Sequence, residues 1–298
     1  MLNSTSPSSS ADALANRNDV TEALLDELEE IIEDIDFAQI FVKFGGTKCL
    51  IQTAKESEGN GLTESNRAKC VGVIGTIAQN NLEVQDILLK DGLIPVLMSF
   101  REDRNASSSS GVSSHKVWSK ALYALGSIVK NHAAAEVLFI QHYAARAFRD
   151  LTDEKFSNDI KRRCVYLALF LVSQDISRVP SLITYFIPAL YDFVKDPNDT
   201  DLREGSLQLL EKFSRIKQGK QMISGSIERV FEERSQNLVF DEEYDDRHEK
   251  ELIASIRTTL QADPEADAPA TNAEEDSAPA SNILMIEPLQ LNAASKAP

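Results

Sequence analysis

Apolar residues recur at helical spacing in several segments of the chain that resemble one another. Segments 68–81 and 119–132 match at an offset of 51 residues, which pairs Gly75 with Gly126. A third segment, 162–175, follows 43 residues later and keeps the apolar spacing, although its glycine is replaced. We call these three segments inner helices. Repetition at a fixed period of this size is typical of a solenoid built from helical repeats.

A second repeated element separates the inner helices. Segment 40–45 matches segment 87–92 at an offset of 47 residues, and each copy ends in a glycine that is followed by an apolar helix. Glycine there is typical of a left-handed cap between two helices. A weaker copy at 182–190 predicts Pro188 at a helix start, in the place of Pro95.

Periods of 42 to 51 residues with about three helical pieces each fall near the armadillo and HEAT range of roughly 40–47. The prediction is an all-α, armadillo-like α-solenoid, a right-handed superhelix over residues 20–258 with helical caps. Thr21 is a plausible N-cap of its first helix. Residues 1–19 and the acidic, Ala/Pro-rich tail 259–298 are expected to be disordered because their composition cannot bury a core.

Charge and composition limit the kinds of partner that the protein is expected to bind. The formal net charge of −16 disfavours nucleic acid, and segment 22–36 alone holds eight carboxylates and no lysine or arginine. No apolar run approaches the roughly 20 residues that span a bilayer, and the start lacks a secretory signal, so no membrane association and a cytoplasmic location are expected. Cys49, Cys70 and Cys164 are predicted to be reduced core residues, because they are odd in number and form no metal-ligand motif.

The sequence contains none of the common catalytic, metal-binding or nucleotide-binding motifs. No nucleophile elbow, zinc-protease motif, phosphate loop or dinucleotide fingerprint occurs, and the four histidines share no ligand spacing. Catalytic residues, metal sites and cofactors are therefore not expected. Trp118, the only tryptophan, is expected to pack at the start of an inner helix.

Polar pairs follow successive inner helices and would form one row along a solenoid edge. They are Glu33-Asp34, Asn80-Asn81 and Asn131-His132. A partner-binding row and simple helix capping are both compatible with this pattern. The basic cluster of Lys161, Arg162 and Arg163, at the start of the inner helix 162–175, is likewise compatible with a contact surface or a solvated face.

Three segments carry a more specific resemblance. They are Leu28-Glu29-Glu30-Ile31-Ile32-Glu33-Asp34-Ile35-Asp36-Phe37-Ala38, then 73–81 with the letters VIGTIAQNN, and 120–125 with the letters KALYAL. Together they resemble the armadillo-repeat nucleotide exchange factors of the 70-kDa heat-shock chaperone, over roughly residues 22–215. The family usually has asparagine where Phe37 stands, and a longer region before the repeats.

The resemblance implies a monomeric co-chaperone whose concave side embraces one lobe of the chaperone's ATPase domain, displaces the other lobe and so releases ADP. It implies no cofactor. By position, the residues that face the chaperone are Asp36, Ala38, Gln79, Asn80, Asn81, Asn131, Arg162 and Arg163. We also expect the fold to tolerate an arginine at Ala38, beside a turn, where a bound partner would not.

An alternative function is a general armadillo adaptor that holds extended peptides in its groove. Peptide-binding armadillo proteins carry regular Trp/Asn pairs, which the single Trp118 cannot supply. The sequence therefore favours the exchange factor.

Overall fold

The computed structural model describes residues 8–55, 62–102, 115–149, 151–154, 156–174, 180–223, 225–238 and 246–262. All regular secondary structure in these ranges is helical. None of the described helices is both long enough and apolar enough to cross a bilayer. Three distinctive segments of the sequence lie outside the described residues: the serine-rich segment 105–114, the acidic segment 241–245, and the tail from residue 263, which includes the apolar segment 283–289.

The described residues form fifteen α-helices. They are α1 (Ser8–Ile32), α2 (Ile35–Lys43), α3 (Gly46–Lys55), α4 (Glu64–Ala78), α5 (Leu82–Lys90), α6 (Leu93–Ser99), α7 (His115–Val129), α8 (Ala133–His142), α9 (Ala144–Ala147), α10 (Asn158–Gln174), α11 (Pro180–Val194), α12 (Thr200–Ser214), α13 (Lys217–Ile223), α14 (Ile227–Ser235) and α15 (Arg247–Gln261). A short 3₁₀ turn, Phe100–Glu102, follows α6.

The inner helices stack in chain order, since α1 packs on α4, α4 on α7, α7 on α10, α10 on α12 and α12 on α15. Their matched positions share the core: Cys70, Ala121 and Cys164 are all buried. Each repeat therefore buries its apolar face against its neighbours, as a solenoid requires. The all-α, armadillo-like solenoid predicted from the sequence is confirmed.

The turns between helices use the predicted residues. Gly45 and Gly92 adopt positive φ angles of 82° and 67°, which confirms the left-handed glycine between helices. Asn80 and Asn131 also have positive φ, 56° and 62°, at the position that follows the C-cap of an inner helix. Asparagine tolerates this conformation better than most residues, so both residues terminate helices.

The fourth repeat departs from the pattern, and one prediction there is wrong. Pro188 lies inside α11 instead of at a helix start; the helix begins at Pro180. The second repeat breaks at Gly92, but the corresponding residue of the fourth repeat is Tyr185, which does not favour a left-handed turn. The single helix α11 therefore stands where the second repeat has two helices, α5 and α6.

The N-terminal prediction is also wrong for residues 8–19. Helix α1 begins at Ser8, and Thr21 lies inside it, where its hydroxyl donates to the Arg17 carbonyl oxygen at 2.8 Å. Asn18 links this part of the helix to the second repeat, because its side-chain oxygen accepts from the Thr63 amide at 3.0 Å. A tertiary contact stabilises a segment whose composition alone predicts disorder.

Helix α15 continues the stack of inner helices, although it is not among the segments that the sequence repeat identified. Four charged residues, which we call the C-terminal charge cluster, attach it to α12 and α14. They are Arg203, Arg234, Asp246 and Glu249, all of them buried. Glu249 accepts from Arg203 Nε at 2.9 Å and from Arg234 Nε at 2.7 Å, and Asp246 accepts from Arg234 Nη2 at 2.8 Å.

The cysteines follow the prediction in two of three cases. All three are free thiols, and Cys70 and Cys164 are buried, but Cys49 is exposed. The expectation that Cys49 faces the core is wrong because its position on α3 points outward beside the buried Leu50. Trp118 is buried, which confirms its packing role.

Candidate groove site

A cavity of about 320 Å³ opens between α4, α7 and α10. Its lining residues are Gln79, Asn80, Leu122, Tyr123, Gly126, Ser127, Lys130, Arg163, Tyr166 and Leu167. We call this surface of the three inner helices the groove. Two of the lining residues are cations, two are tyrosines, and no carboxylate is among them.

Tyr123 is the central side chain of the groove. Its ring lies against Gly75 on the neighbouring inner helix, so closely that a Cβ atom on that glycine would overlap the ring. The hydroxyl donates to Gln79 Oε1 at 3.2 Å, and the Arg163 guanidinium lies 5.8 Å from the ring centroid. Glycine on α4 and the cation on α10 therefore fix one aromatic ring from two sides.

Tyr166 occupies the same place one repeat further on. A Cβ atom on Gly205 would lie 3.5 Å from its Cε1 atom, so this ring also packs beside a glycine. The hydroxyl donates to the Asp201 carbonyl oxygen at 3.4 Å. Burial, together with the nearby carboxylates of Asp201 and Glu204, raises the pKa of Tyr166. The phenol therefore stays neutral at physiological pH and remains a hydrogen-bond donor.

Arg163 is held in place by residues of two inner helices. Its Nε donates to Ser119 Oγ at 2.8 Å and to Asp159 Oδ2 at 3.3 Å, and Ser119 donates to the same carboxylate oxygen. Burial opposes ionisation of Asp159, but the Ser119 hydrogen bond and the Arg163 charge outweigh it and lower the pKa of Asp159. The resulting ion pair orients the guanidinium toward Tyr123.

Cations stand at one repeat position on three successive inner helices. They are Lys69 on α4, Lys120 on α7 and Arg163 on α10, related by the offsets of 51 and 43 residues. Lys69 pairs with Glu22 at 3.3 Å and Arg163 with Asp159. Lys120 lies along Gly72 and forms no ion pair with the described residues. Lys130, at the end of α7, has its Nζ 5.9 Å from the Phe170 ring centroid, and it too has no carboxylate partner in the described ranges.

The structure brings together three of the predicted site residues. Gln79, Asn80 and Arg163 all line the cavity, although they come from α10 and the turn after α4. Asn131 is exposed one repeat beyond Asn80, with the same left-handed backbone. These four remain candidates for partner contact.

The other predicted site residues lie outside the cavity. Asn81 is buried and its side-chain oxygen caps α5 by accepting from the Val84 amide at 3.3 Å. Arg162 donates to Asp199 Oδ2 at 2.9 Å, and that carboxylate in turn caps α12. Asp36 is exposed in the first turn of α2.

Ala38 requires a correction. It was expected to lie beside a turn and to tolerate a bulky cation, but its exposed fraction is only 2%. An arginine there would have to displace well-packed neighbours, which costs about 1–3 kcal/mol or more. The position therefore serves the packing of α2, and a substitution there would not test partner contact cleanly.

Sequence reasoning missed Tyr123, Tyr166, Lys120 and Lys130. The signal was present, because the 43-residue offset that aligns α7 with α10 places the two tyrosines at one position. A search limited to polar pairs after each inner helix could not find it. Residues with equal repeat positions line a groove together, whatever their polarity.

The groove offers hydrogen-bond donors, aromatic edges and positive charge. Among the residues that the structure describes, no three His, Cys, Asp or Glu side chains are placed to hold a metal ion. The histidines occupy helix ends, as at His132, whose Nδ1 caps α8 by accepting from the Ala135 amide at 3.2 Å. His132 Nε2 lies 3.1 Å from Asp86 Oδ1.

No protein-family model matches the chain. Among solved structures, a designed armadillo repeat protein in complex with the peptide (KR)4 is similar, with a TM-score of 0.58 and 16% identity over 80% of this chain and 92% of that chain. Computationally designed armadillo repeat proteins for modular peptide recognition give a TM-score of 0.60 at 16% identity, with the same coverage of 80% and 92%. At such identities the likeness shows the fold alone, and that fold is armadillo-like.

Proposed function

We propose that this protein binds the ATPase domain of a 70-kDa heat-shock chaperone through the groove and accelerates ADP release by displacing one lobe. It acts as a cytoplasmic monomer and needs no cofactor or catalytic residue of its own.

One observation carries the proposal: two of the three segments on which the resemblance rests contribute residues to the groove. Gln79 and Asn80 end the segment 73–81, and Leu122 and Tyr123 belong to the segment 120–125. Leu122 is buried in the core, but Gln79 and Asn80 are exposed and line the cavity. Their exposure favours a binding role over a purely structural one.

The decisive experiment measures release of a fluorescent ADP analogue from the chaperone with and without the full chain. We expect faster release with the wild-type protein, and a loss of about tenfold in chaperone affinity for Arg163→Ala, because a charged contact disappears. Arg229→Ala is the matched control, since Arg229 lies on α14, far along the chain from the groove, and pairs only with the adjacent-turn Glu233 at 3.2 Å. A folded wild-type protein that leaves ADP release unchanged would refute the proposal.

A second candidate is a peptide-binding adaptor. It is supported by the two similar designed proteins, one of which holds a peptide, and by the repeat-matched Tyr123 and Tyr166, which supply an aromatic row without tryptophan. The chaperone assay separates the two functions, because an adaptor would bind peptides and leave the nucleotide exchange rate unchanged.

A further inference from the structure

The charge of the groove is opposite to that of the whole chain. The formal net charge is −16, yet the cavity is lined by Lys130 and Arg163 and by no carboxylate. Lys120, on α7, adds a further cation to this row. Burying or clustering like charges is costly unless an opposite charge neutralises them. Lys120 and Lys130 are exposed and have no carboxylate partner among the described residues, so an anionic group that met the row would relieve this repulsion.

Four cations lie on or beside the groove, and the protein itself neutralises them to different degrees. Lys69, at the first position, pairs with Glu22 and Asp26. Burial disfavours the charged form of Lys69, but the hydrogen bonds that it donates to Asp26 and Glu22 outweigh this effect and raise its pKa. The Nε atom of Arg163 donates to Ser119 and Asp159, while its guanidinium lies 5.8 Å from the Tyr123 ring centroid and the residue lines the cavity. Neither Lys120 nor Lys130 forms an ion pair with a carboxylate of the described residues. The unbalanced positive charge is thus concentrated on α7.

The tyrosines add a second constraint on the ligand. Both rings pack against a glycine on the neighbouring inner helix, and both hydroxyls are already engaged with polar groups of the protein. The rings therefore present fixed faces and edges, and little rearrangement is needed on binding. A polypeptide can place its backbone and apolar side-chain atoms against these rings while its charged groups reach the lysines.

We propose that the groove is a receptor for a short acidic segment of the partner protein, whose carboxylates bind Lys120, Lys130 and Arg163 while its chain lies across Tyr123 and Tyr166. This inference rests on the proposed function in that the partner is the chaperone. A long polyanion such as nucleic acid is disfavoured, because it would extend beyond the groove and meet the acidic remainder of the protein. A short segment can contact the two lysines and Arg163 without extending far into that acidic remainder.

A peptide experiment tests the chemistry directly. The probe is a fluorescent eight-residue peptide of alternating glutamate and serine, compared with the same peptide carrying glutamine for glutamate. We expect the full chain to bind the glutamate peptide at least about tenfold more tightly at low salt, with the preference shrinking at about 0.3 M salt. The variant Lys120→Glu/Lys130→Glu should abolish the preference.

Lys90→Glu is the matched control for this variant. Lys90 is exposed at the C-terminal end of α5, as Lys130 is at the end of α7, so reversal of either charge has the same unfavourable interaction with a helix dipole. The control should bind the glutamate peptide as the wild type does. Equal binding of both peptides, or undiminished preference in the folded double variant, would overturn the inference.

The chaperone assay keeps this inference separate from the proposed function. If the wild type accelerates ADP release and the double variant does so equally well, the acidic-segment receptor is wrong and the exchange function stands. If the wild type leaves ADP release unchanged but binds the glutamate peptide through its lysines, the receptor stands and the assigned partner is wrong. Loss of both activities in the double variant alone, with an unchanged melting temperature, supports both.

Discussion

Replacement of Glu249 by leucine would leave two buried arginines with one carboxylate between them. In the C-terminal charge cluster, two positive and two negative groups balance, and Glu249 itself is 0% exposed. Each of its oxygens accepts from a different arginine, Arg203 at 2.9 Å and Arg234 at 2.7 Å. Glu249→Leu removes both hydrogen bonds and leaves a net positive charge in a site that water cannot reach.

The expected cost follows from that imbalance. Removing one partner from a buried ion pair destabilises a protein by about 3–5 kcal/mol, because the remaining charge is uncompensated. For a chain of this size, each 1 kcal/mol lowers the melting temperature by roughly 2–4 °C, which predicts a decrease of roughly 6–20 °C. Since α15 is the last inner helix, its contacts with α12 should open first.

Urea unfolding followed by circular dichroism measures the free-energy change, and hydrogen exchange locates it. Glu251→Leu is the control, because Glu251 lies on the same helix and is exposed. Exchange should accelerate in α15 and α12 and remain unchanged in α4 and α7. Identical urea midpoints for the two variants would show that the cluster contributes no net stability and that the reasoning is wrong.

Three further predictions concern single positions. Gly75→Ala should displace the Tyr123 ring that packs on it, lower the free energy of unfolding by about 1–3 kcal/mol and weaken partner binding. At the matched position, a Cβ atom on Gly126 meets nothing within 4 Å, so Gly126→Ala should leave stability unchanged or raise it by about 0.5–1 kcal/mol. Thermal melts of the two variants test this difference. His132→Ala should lower the free energy of unfolding by about 1 kcal/mol, because α8 loses its N-cap. His132→Asn should restore most of this loss, since Asn81, at the equivalent position of the preceding repeat, caps α5. Equal unfolding midpoints for the wild type and His132→Ala would refute the capping role. Burial raises the pKa of Cys164 from its ordinary value of 9.0 to about 12. The stability that the buried thiol contributes should therefore be complete below pH 9 and decline as the pH rises toward 12. Thiol labelling at pH 8 should modify Cys49 and spare Cys164 until the protein unfolds.

The sequence by itself determined which faces of the helices are buried. Apolar spacing and the offsets of 51 and 43 residues located α4, α7 and α10, and the glycine-ended copies located the turns at Gly45 and Gly92. These features depend on local geometry: helical period sets the buried stripe, and a left-handed turn selects glycine. The family resemblance, and not this spacing, assigned Gln79, Asn80 and Arg163 to a partner-facing surface.

Only the tertiary structure decided which side chains meet across repeats. The packing of Tyr123 on Gly75, the burial of Ala38 and the attachment of α15 by Glu249 all depend on how one inner helix is positioned on the next. Local spacing carries no information about that positioning, because it results from the fit of whole side-chain surfaces between neighbouring helices. The repeat pattern therefore defined the solenoid, and the stacking of its inner helices created the groove.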